Sequence, residues 1–303
     1  MGDFFKTLAT KLAERWVTLL VVPGALLVFA AWVGGRLRQA HALDWAALQG
    51  DLAATVADLT RQSWATQAVL VIAALLVSTG VGLAVQALAG VTKIVWLGQW
   101  PQPLRWLARW RTSRRVRRWY RRLERRRELE RAHPAEQRTP EQQRQINEAA
   151  ARVNRLCWAE PGRPTWMGDR GHSVEKIILD RQGLDLAFAW PRLWLVLPET
   201  PRAEITAANA AFAAAVATGT WAVPYLLLGI MWWPAAVAGL VVGVTGWVRG
   251  RSAASELALL TEATLDLHGR TLAVALGVAA EDTVGPLELE EGQRISTMAR
   301  KGR

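Results

Sequence analysis

An all-α membrane protein is the fold class predicted for this 303-residue chain: four transmembrane helices, with a mainly helical cytosolic domain inserted between spans 2 and 3. Three observations predict it. Hydrophobic residues make up 51% of a chain whose net charge is +11, so apolar and charged residues must be segregated. Four apolar blocks approach or exceed the roughly 20 helical residues that cross a bilayer. Basic residues then fall almost entirely on one side of those blocks. With the N-terminus inside, only Arg36, Arg38 and Arg61 of the 37 Lys and Arg lie outside, and the reverse orientation would carry the most basic stretch across the membrane.

The elements follow in order. In "MGDFFKTLATKLAERW", Phe5, Leu8, Leu12 and Trp16 share one helical face and Lys6, Lys11 and Arg15 lie elsewhere, which predicts an interfacial amphipathic helix over 1–15. Residues 16–100 hold the first transmembrane pair. Its first span, "WVTLLVVPGALLVFAAWV", is bracketed by Trp16 and Trp32, where an aromatic belt would lie. Ala40-His41-Ala42 resembles a signal-peptide cleavage site, but Arg36 and Arg38 in the gap fit that reading poorly, so an anchor is expected. An external helix over 44–62 carries Trp45, Leu48, Leu52, Val56 and Leu59 on one stripe. Asp44, Asp51 and Asp58 repeat beside it and drift slowly around the axis. That acidic stripe either faces water or gathers cations at a pore mouth shared by several chains. The second span runs from Trp64 to about Gly90 and continues to Trp96 and Trp100.

Residues 101–203 form the basic cytosolic domain. Between Arg109 and Arg131 there are twelve arginines and three glutamates, with Trp106, Trp110, Val116, Tyr120 and Leu123 at spacings that mark one apolar stripe on a basic helix. Such a helix lies on anionic headgroups or a protein partner, or is simply a solvated face that enforces topology. The candidate lipid- and partner-binding residues are Trp106, Arg109, Trp110, Arg114, Arg117, Arg118, Tyr120 and Arg121. Tryptophan among arginines also suits base stacking, yet no nucleic-acid module accompanies it, so nucleic acid is not the expected partner. Thr139-Pro140-Glu141-Gln142 is a capping box that starts a helix reaching about Trp158. A second helix is expected from Asp169 to Gln182, ended by Gly183 as a left-handed cap. Trp190-Pro191 disfavours helix at Trp190, so "RLWLVL" reads as a short strand or a helical turn. Thr200-Pro201 starts a helix that continues into the third span. Residues 204–249 form a transmembrane hairpin turning near "GIMWWP", and 250–303 a cytosolic C-terminal helix and tail.

Thr165, Gly168 and Asp169, then Gly183-Leu184-Asp185, then Trp190-Pro191-Arg192-Leu193, resemble a segment of uncharacterised bacterial multi-span membrane proteins. That segment opens Thr-x-x-Gly-Asp/Asn, passes through Tyr-Gly-Leu/Ile-Asp and ends Trp-Pro-Arg-Leu. The resemblance covers about 163–198 and departs at Gln182, where an aromatic is expected. It implies an architecture and no chemistry.

Little in the chain points to catalysis. Asp169, His172 and Glu175 sit three apart and could share a face as metal ligands, but no second cluster completes a shell, so local charge pairs on a surface helix are expected. Cys157, the single cysteine, reads as a small buried hydrophobe. No phosphate loop, nucleophile elbow or paired carboxylates appear, and the spans carry no charged residue at mid-depth. The expectation is therefore no enzyme, no cofactor and no metal.

Ser78 and Gly82 belong to a line with Ala74, Gln86 and Gly90 on the second span. Gly239 and Gly243 continue from Ala235 on the fourth; these lines let helices approach within one chain or between chains. Thr79-Gly80-Val81-Gly82 is a weak echo of a potassium filter, set in a continuous apolar run instead of a loop. The function expected is a non-enzymatic scaffold or anchor in the bacterial cytoplasmic membrane, both termini cytoplasmic. Its expected partners are anionic lipid, a cytosolic protein and other copies of itself. The alternative is a homo-oligomeric channel lined by Thr18, Ser78, Thr79, Gln86, Asn209, Thr218 and Thr220.

Overall fold

The computed structural model describes residues 21–300. The helix expected over 1–15 and the start of the first apolar run, Thr18 included, lie outside them. Among the described residues there is no strand. The helices are α1 (Val22–Leu37), α2 (Trp45–Thr60), α3 (Trp64–Trp96), α4 (Arg105–Ala132), α5 (Pro140–Asn154), α6 (Trp166–Gln182), α7 (Leu186–Val196), α8 (Glu199–Thr220), α9 (Ala222–Leu228), α10 (Trp233–Ala275) and α11 (Leu289–Arg300). They divide into two compact units, Met1–Thr92 with Ala214–Val248, and Lys93–Ala213 with Arg249–Arg303.

Within the first unit, Asp44 caps α2 by accepting the Ala47 N–H at 2.9 Å, and Leu48 is buried beside Val33 and Leu37 of α1. Trp45 and Val56 of the expected external stripe stay exposed. Two helical stretches are long and apolar enough to cross a membrane, Trp64–Trp96 and Glu199–Leu228. Only 17% and 28% of their most apolar windows are buried by the rest of the chain, unlike the core helix of a soluble protein. α1 is a shorter apolar helix of 16 residues, and the fourth apolar run opens the 43-residue α10.

The turn between α9 and α10 is held by Gln39, whose amide donates to the carbonyls of Gly229 (3.0 Å) and Ile230 (2.8 Å) and accepts from the Trp233 N–H (3.2 Å).

The second unit is built around a core of Val174, Ile178, Leu184, Leu193, Ile205, Leu265, Leu272 and Ile295, contributed by α6, α7, α8, α10 and α11. The capping box is present: Thr139 accepts from the Gln142 N–H, and Gln142 accepts from the Thr139 N–H. α5 stops at Asn154 instead of Trp158, because Arg115 and Trp119 of α4 take the carbonyls of Leu156 and Cys157. α6 begins at Trp166, three residues earlier than expected, since Thr165 is its cap and accepts the Gly168 N–H at 3.1 Å. Gly183 is the left-handed cap, with φ of 65°.

Trp190 is helical, contrary to the expectation from Trp190-Pro191: α7 runs unbroken through Pro191, and "RLWLVL" is helix. Proline inside a helix costs about 3 kcal/mol, whereas full burial of one leucine side chain returns about 2 kcal/mol. Ala189 and Leu193 are fully buried and Trp190 packs against the same core, so tertiary packing outweighs the local preference. α8 starts at Glu199, a residue before the Thr200-Pro201 start. Pro201 then falls in the first turn, where a missing N–H is harmless. α11 closes the unit: Ser296 Oγ donates to the Gly183 carbonyl and accepts the Asp185 N–H.

Candidate functional site

α4 presents two faces. Trp119 and Leu123 are half-buried, as is Val116, so two residues of the expected apolar stripe are partly covered. The stripe is thereby split. Trp106 (66% exposed), Trp110 (51%) and Tyr120 (47%) remain outward. Arg109, Arg114, Arg117, Arg118 and Arg121 are exposed around them, and the Arg114 guanidinium lies 5.6 Å from the Trp110 ring. All eight candidate lipid- and partner-binding residues thus sit on the uncovered part of one helix.

Electrostatics along α4 are uneven. Arg125, Arg126, Arg127 and Arg131 each pair with Glu124, Glu128 or Glu130 of the same helix. Between Arg105 and Arg122 there is no acidic residue, and among the described residues Arg115 alone makes an ion pair there.

That pair is the organising contact of the region, and sequence reasoning missed it. Asp169 is 1% exposed, not part of a surface charge pair. Its Oδ2 accepts from Arg115 at 2.7 Å, and its Oδ1 accepts the N–H groups of Gly162 (2.9 Å) and Arg163 (2.7 Å). One carboxylate therefore fixes the 162–164 loop against α4. Gly168 lets α6 approach the Leu97 carbonyl, where a Cβ would collide, and Thr165 Oγ1 donates to the Trp96 carbonyl at 2.7 Å. The Thr165, Gly168 and Asp169 of the sequence segment thus cap, approach and pin. A buried carboxylate with several donors leaves no signal in spacing alone.

Next to it Arg170 is 7% exposed and stacked between Trp158 (4.0 Å) and Trp166 (4.3 Å), with Arg251 on Trp166 as well (4.1 Å). Burial lowers the Arg170 pKa, with the Arg251 charge adding to the effect. Stacking on desolvated indole faces offsets part of that cost, about 2 kcal/mol per face.

Cys157 is buried with Sγ 3.0 Å from Ser173 Oγ. Burial, and then Asp169, push its thiol above the ordinary value, the opposite of what a nucleophile needs. His172 and Glu175 approach only to 3.9 Å, Asp169 is engaged elsewhere, and no group of metal-ligating side chains occurs among the described residues.

Gly239 faces Leu226 and Tyr225, and Gly243 faces Ala222, so both lie where α10 meets α9 within one chain. Ser78 and Gly82 are buried, with Gly24 of α1 against the Ser78 backbone, while Ala74, Gln86 and Gly90 on the same line are exposed.

Fold and site together define an all-helical protein with two span-length apolar helices and a basic, aromatic helix face. Comparison with protein-family models, with curated proteins and with solved structures returned no match.

Proposed function

We propose that the chain is a non-enzymatic integral membrane scaffold of the bacterial cytoplasmic membrane, whose basic cytosolic unit lies against anionic lipid and engages a protein partner. The observation that carries this reading is the outward Trp106, Trp110 and Tyr120 set among arginines without carboxylate partners, in a chain with two uncovered span-length helices. In this reading α1, with the apolar residues before it, and the first part of α10 supply two further spans, and the split of basic residues places both termini in the cytoplasm. Each arginine at an anionic surface adds about 1 kcal/mol, and each indole adds apolar burial independent of charge.

The test uses the full chain carrying Trp110→Cys in a Cys157→Ala background, labelled with an environment-sensitive fluorophore and placed in nanodiscs. Emission should shift to the blue in anionic nanodiscs, not in neutral ones, and rising salt should reverse the shift. Equal spectra in both lipids, or capture by RNA in preference to anionic lipid, would overturn the reading. Topology is tested separately with an impermeant thiol reagent on intact cells: Gln49→Cys should label and Arg117→Cys should not.

A second reading, a homo-oligomeric channel, draws on the exposed Ala74, Gln86 and Gly90 of α3, a small-residue face that another copy would cover. Ion flux from liposomes containing the purified chain alone separates the two.

A further inference from the structure

We infer that the second unit holds a discrete phosphate site, and that its occupant is the headgroup of an anionic phospholipid. This rests on the membrane-surface reading above and goes beyond it, because it requires one bound molecule in a formed cavity instead of a diffuse charged face. A cavity of about 840 Å³ lies where the turn after α3, the first turns of α4 and the 162–164 loop meet. Four arginines line it, Arg105, Arg109, Arg117 and Arg163, and no acidic residue does. None of the four makes an ion pair among the described residues, whereas Arg125, Arg126, Arg127 and Arg131 in the last turns of α4 each pair with a glutamate. Converging unpaired cations of this number repel one another unless an anion sits among them. Planar, multi-donor guanidinium groups suit the tetrahedral oxygens of phosphate better than a single carboxylate.

The cavity is built, not incidental. Arg163 comes from outside α4, and Asp169 holds its backbone N–H at 2.7 Å, so the loop that carries this fourth lining arginine is fixed in place. Gly98 has φ of 70° and packs against Pro164, which joins the turn after α3 to the same loop. A Cβ at Gly98 would strain the backbone and press on Pro164. Asp169 and Gly98 act as positioning residues.

The source of the phosphate follows from what borders the cavity. Gly98, Gln99 and Trp100 come immediately after Trp96, the last residue of an uncovered span-length helix. Headgroup phosphates lie at the ends of such helices, and tryptophan is the residue enriched at that depth. Thr112 adds a hydroxyl to the lining, while the Ser113 hydroxyl donates to the Arg109 carbonyl at 2.9 Å.

The experiment titrates the full chain in a neutral detergent with short-chain phosphatidylglycerol, short-chain phosphatidylcholine and inorganic phosphate, and counts retained lipid by native mass spectrometry. One phosphatidylglycerol should be retained and phosphatidylcholine should not. Arg163→Gln should weaken phosphatidylglycerol binding about tenfold, the loss expected for one charge-assisted contact, and Arg163→Lys should recover part of it. Arg125→Gln, on a neutralised arginine, should change nothing. Thermal unfolding establishes that Arg163→Gln folds; should it fail to fold, Arg109→Gln with Arg117→Gln gives the same comparison. Equal binding by the wild type and the folded arginine variants overturns the site. Inorganic phosphate binding as tightly as phosphatidylglycerol, with the same Arg163 dependence, overturns the lipid assignment. The fluorophore at position 110 separates the two levels. A salt-sensitive anionic shift without a retained lipid defeats this inference alone, whereas a retained, Arg163-dependent lipid without that shift defeats the membrane-surface reading alone.

Discussion

The two parts of α4 are both rich in arginine and differ in what accompanies it. From Arg105 to Arg122 nine arginines stand without an acid on the helix, and one of them pairs with Asp169, reached through the fold. From Glu124 to Arg131 three glutamates neutralise four arginines within one or two turns. A net charge for the helix hides this. The distal half is a solvated surface of the ordinary kind, with pairs that contribute little to stability. The proximal half has no such pairs on its own helix, turns Trp106 and Trp110 outward and borders a cavity, and it is there that the proposed anion binding is placed.

The largest effect that tests this contrast is on stability. Asp169→Asn removes the charge partner of Arg115, and breaking a mostly buried pair costs about 3 kcal/mol. Glu124→Gln in the distal half should stay within about 0.5 kcal/mol. Thermal unfolding in detergent compares them, and equal melting temperatures would erase the distinction between the halves. A packing defect without charge is the next probe. Replacing Gly239 and Gly243 with leucine forces α9 and α10 apart and should cost about 1–3 kcal/mol per site. Anionic-lipid binding by the protein that remains folded should be unaltered; a parallel loss of binding would mean that the lipid assay reports only folding.

Binding itself should follow the divide. Arg109→Gln with Arg117→Gln should weaken association with anionic vesicles by roughly 2 kcal/mol at low salt, about 1 kcal/mol for each charge. Arg125→Gln with Arg127→Gln should have far less effect, and similar losses would make α4 a uniform polybasic helix. The smallest effect concerns pH. The Cys157 thiol has a raised pKa in the folded state, so the folded chain keeps its proton where the unfolded chain loses it. Stability should therefore decline as pH rises beyond the unfolded thiol value, about 8.5, toward the folded one. Cys157→Ala should flatten that decline in unfolding curves measured between neutral and alkaline pH.

What could be read from the sequence was local or compositional. The Thr139 capping box and the left-handed Gly183 each depend on a few adjacent residues, and both are present as expected. The apolar character of Trp64–Trp96 is equally self-contained. The departures depend on distant partners. Asp169 looked like one member of a surface charge series until Arg115 and the 162–164 loop were brought to it. Trp190 looked non-helical because a proline follows it, and the core around Leu193 decided otherwise. Val116 and Leu123 shared a periodic stripe with Trp106 and Trp110, and nothing in that period reveals that only the first two are partly covered. Arg163 was invisible as a site residue for the same reason, being a loop arginine whose neighbours lie more than forty residues away in sequence.

The Arg115–Asp169 contact has a consequence for synthesis. The two residues are 54 positions apart, with the acid second. At roughly 5–20 residues per second, the carboxylate is made about 3–11 s after its arginine. During that interval the proximal half of α4 is already translated while the buried acid that pins Arg115 does not yet exist. The order in which this chain is written thus offers its most basic segment to the surroundings before the fold can claim it.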